Sequence, residues 1–153
     1  ISRPVQPLGR DIGHLPGTME EKLLPWLMPI QDNLEFLIGG DKNTLRLYID
    51  NGKVEVEALT YIRGRSIANA FIIIDEAQNL TMHEVKTIIT RAAEGTKIVL
   101  TGDIEQIDNV YVNEISNGLA HAVEKFKDSH ITGHVTFRKG ERSEIATLAS
   151  KVL

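Results

Sequence analysis

The sequence contains no cysteine, which excludes disulfide bonds, thiolate zinc sites and cysteine nucleophiles together. It has no apolar run approaching the roughly 18 residues of a membrane span. No signal peptide opens it, so we expect a cytoplasmic protein without membrane contact. The formal net charge is −4, which gives no global sign of nucleic-acid binding. Any such contact must therefore come from local patches of positive charge.

The sequence also lacks a phosphate-binding loop. Such a loop reads G-x-x-x-x-G-K-[ST], in which backbone amides surround a phosphate and the lysine meets its charge. Gly52-Lys53 is the only Gly-Lys pair, but Val54 follows it and Leu47 stands where the first glycine is required. The chain therefore has no loop of its own for holding the phosphates of a nucleotide.

The 153 residues are enough for a single domain with one core. Residues 3–17 carry three prolines and three glycines, which predict an irregular loop. Thr18 and Glu21 fit a capping box at the start of a helix. Pro25 and Pro29 then predict a break in this helix before it ends near residue 38.

A β-hairpin is predicted over about residues 45–59. The segments LRLYID and KVEVEAL flank Asn51-Gly52, the residue pair that a type I′ turn requires. We expect this hairpin as an insertion in the fold.

The middle of the chain predicts one strand–helix–strand unit. Phe71–Ile74 and Lys97–Leu100 are short, continuous apolar runs, as in parallel strands that are covered on both faces. Between them, Thr81 and Glu84 fit a capping box for a helix that runs to Gly95.

The remainder predicts a helix over about residues 117–126, a strand at 135–137 and a final helix from about residue 144. The predicted class is therefore α/β, with a mainly parallel sheet and the hairpin inserted.

Two adjacent carboxylates, Asp75 and Glu76, follow the first buried strand. Ligands of open parallel sheets lie beyond the carboxyl ends of the strands. There one carboxylate can hold a magnesium ion while its neighbour orients an attacking water. The alternative is a solvated turn whose acids have no chemical role.

Polar residues also follow the second strand, where Thr101, Asp103 and Gln106 come just after Leu100. They would face the same crevice, and a glutamine there can position a γ-phosphate or its attacking water. The alternative is a polar loop in which Gly102 supplies turn geometry. Beside Asp75 and Glu76 we favour the functional interpretation.

Three arginines are candidates for anion contacts. Arg63 and Arg65 flank Gly64 before the buried strand and can contact phosphate or a nucleic-acid backbone, although arginines on exposed connections are usually just solvated. Arg142 precedes the last helix, where a cation opposes the helix dipole. One role that would justify it is the stabilisation of a transferred phosphoryl group.

The string IIIDEAQNLT, followed by KTIITRAAEGTKIVLTGDIEQID, closely resembles the PhoH-like ATPases, relatives of superfamily 1 helicases. The segment RPVQPLGRDIGHLPGTMEEKLLPWLMPIQDNLEFL is similar to the part of this family just after its phosphate loop. YIRGRS, SNGL and KGERSEIATLASKVL resemble its later signatures, the last of them typical of the subgroup with a PIN nuclease domain. The resemblance implies a P-loop NTPase (RecA-like) three-layer αβα fold. It further implies that residues 1–153 are one PhoH-like domain, truncated at its N-terminus after the Walker A loop.

The resemblance also implies roles for single residues. Asp75 and Glu76 match the Walker B acids, for magnesium binding and water activation. Thr101, Gly102, Asp103 and Gln106 match the motif that senses the γ-phosphate, with Asp108 just beyond it. Arg142 matches a late arginine finger, while Arg3 and Arg10 fall where relatives contact nucleic acid or phosphate.

The leading hypothesis is an ATPase domain that uses ATP and Mg²⁺ and whose parent protein couples hydrolysis to RNA binding or unwinding. The resemblance also implies that the parent protein can form a homo-oligomeric ring such as a hexamer. The candidates for RNA contact are the hairpin and the arginines Arg3, Arg10, Arg63 and Arg65. One alternative is a non-catalytic module that binds nucleic acid or protein. Another is a metal nuclease built from Asp75, Glu76, Asp103 and Asp108.

Overall fold

The computed structural model describes residues 1–4, 19–62, 64–138 and 143–152. Most of the loop predicted over 3–17 and the start of the predicted capping box at Thr18 lie outside these ranges. The candidate residues Arg10, Arg63 and Arg142 lie outside them as well. Within the described ranges, no helix has both the length and the apolarity that a membrane crossing needs.

The described residues form four β-strands and five α-helices. The strands are β1 (Ser2–Arg3), β2 (Glu57–Ala58), β3 (Phe71–Ile74) and β4 (Lys97–Leu100). The helices are α1 (Met19–Leu37), α2 (Lys42–Asp50), α3 (Met82–Ile89), α4 (Gly118–Phe126) and α5 (Glu144–Val152). Two short 3₁₀ helices, Leu59–Ile62 and Ala77–Asn79, follow β2 and β3.

The four strands make one sheet in the order β2-β1-β3-β4, in which each neighbouring pair is parallel. Strands β3 and β4 pair over their whole lengths, from Phe71 opposite Lys97 to Ile74 opposite Leu100. Helix α3 connects them, so the predicted strand–helix–strand unit is confirmed. The α/β class with a parallel sheet is confirmed with it.

The hydrophobic core lies where β3 meets α3 and α4. Ile74 and Leu80 are fully buried, and Val85, Ile88 and Ala122 pack into the same cluster. The capping box of Thr81 and Glu84 is present, with the threonine hydroxyl accepting from the Glu84 amide and the carboxylate accepting from the Thr81 amide. It fixes the start of α3 and hence the helix face that covers the sheet.

The predicted break in the first helix is wrong, because α1 continues through both Pro25 and Pro29. A proline inside a helix removes one backbone hydrogen bond and crowds the preceding turn. Here Ile30 is buried and α1 contacts α2, β1 and β2. Tertiary packing supplies most of the stability of a protein helix, and it outweighs the local signal at these positions.

The predicted hairpin over 45–59 is also wrong, because its first half is helix α2. Asp41 caps this helix, and the Gly52 amide donates to the Ile49 carbonyl while the Lys53 amide donates to Tyr48. These bonds form a Schellman motif, in which Gly52 takes a φ of +66°. An Asn-Gly pair suits a helix C-terminus as well as a type I′ turn, since both require a positive φ.

One helix boundary and one strand also differ from the sequence prediction. Helix α3 ends at Ile89 and does not reach Gly95. Residues 135–137 form no strand, and Val135 and Phe137 are exposed. A strand requires a neighbour to pair with, and none of the described residues pairs with these. The helices predicted over 117–126 and from 144 are confirmed by α4 and α5.

Candidate functional site

The candidate site is built where three parallel strands end side by side. Ser2 of β1 pairs with Ile74 of β3, and Ile74 pairs with Leu100 of β4. The Asp75 amide donates to the Ser2 carbonyl at 2.9 Å, and the Thr101 amide donates to the Ile74 carbonyl at 2.9 Å. The residues that follow these strands are therefore held at one edge of the sheet, as the sequence predicts.

Asp75 and Thr101 contact each other across this edge. The Thr101 hydroxyl donates to Oδ1 of Asp75 at 2.9 Å. Oδ2 of Asp75 has no hydrogen bond from the described residues, and the side chain is half-buried. One oxygen is thus oriented by a neighbour while the other stays available to a cation. A protein site for Mg²⁺ commonly supplies one or two carboxylates, with water and phosphate completing the shell.

Glu76 has a left-handed backbone, with φ 55° and ψ 36°. For a residue other than glycine, this conformation costs on the order of 1–3 kcal/mol, and strained residues of this kind cluster at active sites and ligand-binding segments. Both carboxylate oxygens are held. Arg3 donates from Nη2 to Oε1 at 3.0 Å, and Gln78 donates from Nε2 to Oε2 at 2.6 Å.

Gln78 is a central residue of the site that the sequence interpretation missed. Its side chain is fully buried and donates to the Gln106 carbonyl at 2.8 Å as well as to Glu76. Its own amide oxygen accepts from the Asp103 backbone at 3.2 Å. The only sequence signal was its place in the string D-E-A-Q. A buried polar residue just after two acids requires partners for its amide group.

The loop after β4 is folded by its own polar side chains. Asp103 accepts from the Glu105 amide at 3.0 Å and from Nε2 of Gln106 at 2.5 Å. The side chain of Gln106 is exposed, and its Oε1 makes no hydrogen bond with any described residue. Asp103 therefore shapes the loop, and Gln106 keeps an acceptor that faces solvent.

Asn79 anchors the far end of this loop and was also missed from the sequence. Its Oδ1 accepts from the backbone amides of Asp108 at 2.8 Å and Asn109 at 3.1 Å. The Asn109 side chain returns a hydrogen bond to the Asn79 carbonyl at 2.8 Å. Both asparagines are buried, so Asp108 is positioned through its backbone.

The remaining sequence candidates divide into two groups. Arg3 lies in the site beside Glu76, whereas Arg65 pairs with Glu55 at 3.2 Å. No three of the histidines and carboxylates in the described ranges converge to hold a metal ion together. The nuclease hypothesis, which requires Asp75, Glu76, Asp103 and Asp108 to share metal ions, therefore has no support in the geometry.

A parallel sheet with acids after one strand and a polar loop after the next is consistent with a fragment of a P-loop NTPase-like fold. Comparison with known proteins identifies the family. The sequence profile described as "PhoH-like protein" matches residues 1–152, and the chain belongs to this PhoH family.

Named relatives agree with this assignment. Over the whole chain, it is 57% identical to "Protein PhoH2" of Bacillus subtilis (strain 168) and 39% identical to "Protein PhoH2" of Mycolicibacterium smegmatis. It covers 35% of the length of each of these two proteins. Over 91% of the chain it is 37% identical to "Protein PhoH" of Escherichia coli (strain K12), and it covers 39% of that protein. The chain thus spans little more than a third of the length of these relatives.

Proposed function

We propose that this chain supplies the acid and sensor half of an ATP-hydrolysing site. The observation that carries the proposal is the pairing of Asp75 with Thr101 beside Glu76, at the carboxyl end of a parallel sheet. Membership of the PhoH family supports the proposal. A phosphate-binding loop has to come from outside the residues of this chain.

In this proposal Asp75 would hold Mg²⁺ through its available oxygen, and a bound ion would supply positive charge that offsets the charge of the ATP phosphates. Glu76 acts as the general base. It takes a proton from a water whose oxygen forms a bond to the γ-phosphorus, while the bond from that phosphorus to the bridging oxygen of ADP breaks. Gln106 orients the attacking water, which can donate a hydrogen bond to its solvent-facing amide oxygen.

The proposal extends to partners. Coupling to RNA is proposed through arginines, for which Arg10, Arg63 and Arg65 are the candidates. Of these, Arg65 lies in the described ranges and is exposed. Residues 45–59 were expected to contact RNA as a hairpin, but they form most of helix α2, its C-terminal turn and β2. We propose helix α2 and this turn for the RNA contact. Arg142 is proposed as an arginine finger that acts across a subunit boundary in a homo-oligomeric ring.

The decisive experiment replaces Glu76 by Gln in the full gene product that carries these residues. Nucleotide affinity should be retained, and turnover should fall by about 100-fold or more, the contribution of a general base. The matched control is Glu105→Gln, because Glu105 is an exposed carboxylate of the neighbouring loop whose side chain makes no hydrogen bond with a described residue.

Unchanged turnover in the Glu76→Gln protein would remove Glu76 from the mechanism. If the unaltered gene product neither binds nor hydrolyses ATP but does bind RNA, the non-catalytic binding module takes its place.

A further inference from the structure

The side-chain nitrogen and oxygen of Gln78 both bond to partners, and these partners come from two separate parts of the site. Nε2 uses one hydrogen for Oε2 of Glu76 at 2.6 Å and the other for the Gln106 carbonyl at 2.8 Å. Oε1 accepts the Asp103 backbone amide at 3.2 Å. A carboxylate and a carbonyl can only accept, and a backbone amide can only donate. The partners thus fix the orientation of the Gln78 amide group.

Gly102 makes the positions of Gln78 and the loop after β4 interdependent. A Cβ atom at position 102 would overlap Oε1 of Gln78 and would lie 3.2 Å from the Gln78 backbone nitrogen. The loop backbone therefore rests directly on the Gln78 side chain. Because close-packed groups cannot shift independently, a movement of residues 102–106 displaces this amide.

Glu76 depends on the same amide for its direction. Arg3 holds one carboxylate oxygen and Gln78 holds the other. The ion pair to Arg3 is partly exposed, whereas Gln78 is completely buried. Of the two partners of the Glu76 carboxylate, Gln78 is thus the more rigid. The position of the Gln78 amide therefore sets the orientation of Oε2.

We propose that Gln78 is a positioning residue that couples the loop of residues 101–108 to Glu76. The conformation of this loop thereby sets the direction in which the Glu76 carboxylate points. The inference rests on the proposed function, because it assigns Glu76 the role of general base. Gln78 itself touches neither the water nor the phosphate. It acts by donating a hydrogen bond to Glu76 while it bonds to the backbone of Gln106 and Asp103.

The test is the substitution Gln78→Met in the full gene product, because methionine keeps the length of the side chain but removes all three hydrogen bonds. Glu76 is then held by Arg3 alone. The kcat should fall by about 100-fold, the effect of misplacing a reacting group by about 1 Å. The KM for ATP should be unchanged, because binding does not depend on the direction of the Glu76 carboxylate.

A second variant keeps the amide group of residue 78. Gln78→Asn is shorter by one methylene, so its amide cannot contact Glu76 and the backbone of Gln106 and Asp103 together. Its kcat should also fall, with the KM for ATP unchanged.

The matched control is Asn117→Leu, in which another fully buried amide loses its hydrogen bonds while the branched shape of the side chain is kept. Asn117 bonds to the carbonyls of Asn113 and Glu114 and to the Ala120 amide, and it does not contact Glu76. It should lower stability and leave kcat unaltered. If Gln78→Met and Gln78→Asn keep the wild-type kcat, the inference is wrong while the proposed function stands. An absence of turnover in the wild type overturns both.

Discussion

Nη2 of Arg3 lies 3.0 Å from Oε1 of Glu76, and this ion pair joins the end of β1 to the residue pair that follows β3. The sequence resemblance led us to expect that Arg3 contacts nucleic acid or phosphate. The structure gives it a partner within the candidate site. Both side chains are only partly accessible, at 26% and 31%, so the pair is screened less than an ion pair in open solvent.

We predict that Arg3→Ala impairs turnover more than it impairs folding. A partly exposed ion pair contributes up to about 1 kcal/mol to the free energy of unfolding. Loss of the Arg3 contact leaves Glu76 held from one side, which should lower kcat by up to about 100-fold. In a Glu76→Gln background the same substitution should cause no further loss, because both changes act through one group. Steady-state ATP turnover and urea denaturation measure the two effects.

The control for this prediction is Arg65→Ala, which breaks the exposed ion pair to Glu55. It should leave kcat unchanged when turnover is measured in the absence of RNA. If Arg65 contacts RNA as proposed, its loss should reduce the slope of log affinity against log salt by about one, whereas Arg3→Ala should not. A reduced slope for Arg3→Ala would return Arg3 to the RNA contacts.

The geometry around Asp75 leads to a second prediction, for Thr101→Val. This change keeps the shape of the side chain and removes the hydrogen bond to Oδ1 of Asp75. The Mg²⁺ concentration for half-maximal turnover should rise by about 10-fold, since groups that orient a metal ligand affect affinity by that order. Thr87→Val is the control, because the Thr87 hydroxyl bonds to the His83 carbonyl in α3. Equal Mg²⁺ dependence in the two variants would exclude the orienting role of Thr101.

Local signals predicted the parts of the fold that local interactions decide. A few neighbouring residues are enough to predict the apolar runs of β3 and β4 and the capping box of Thr81 and Glu84. The structure confirms these predictions. The Asn51-Gly52 signal failed because a positive φ serves a helix end and a hairpin equally well. The strand expected at 135–137 failed because strand formation depends on a distant partner.

The same distinction applies to the candidate site. Asp75, Glu76 and Thr101 could be found because parallel strands bring their carboxyl ends to one edge. Gln78 and Asn79 could not, because their partners other than Glu76 lie 25 to 30 residues further along the chain. Nothing in the local sequence tells which backbone amides a buried side chain will reach.

A third prediction concerns the contact between the loop after β4 and Gln78. Gly102→Ala introduces a methyl group that overlaps Oε1 of Gln78 and approaches Leu119 at 3.0 Å. Overpacking of this kind costs about 1–3 kcal/mol of unfolding free energy, measurable by urea denaturation. Gly133→Ala is the matched control, as nothing lies within 4 Å of the added atom, and its effect should stay within about 0.5 kcal/mol. Equal stabilities for the two variants would contradict the close contact.

The last prediction concerns the cap of α2, the helix that stands where a hairpin was expected. The Thr44 hydroxyl donates to Oδ2 of Asp41 at 2.6 Å and the Asn43 amide donates to Oδ1 at 3.0 Å. These hydrogen bonds, with that of Thr44 the larger, hold the pKa of Asp41 below its ordinary value of 3.8. A carboxyl whose pKa is lowered by folding stabilises the folded state above the unfolded pKa. That stabilisation is lost as the pH falls through the folded pKa.

The urea midpoint of the wild type relative to Asp41→Asn should therefore be constant from neutral pH down to about pH 5 and should decline below about pH 4. Asparagine caps helices about as well as aspartate but has no charge to titrate, so the difference isolates the carboxylate. Asp32→Asn serves as the control, since Asp32 is exposed on α1 and makes no hydrogen bond or ion pair with a described residue. A relative midpoint for Asp41→Asn that is flat with pH would mean that ionised Asp41 does not cap α2.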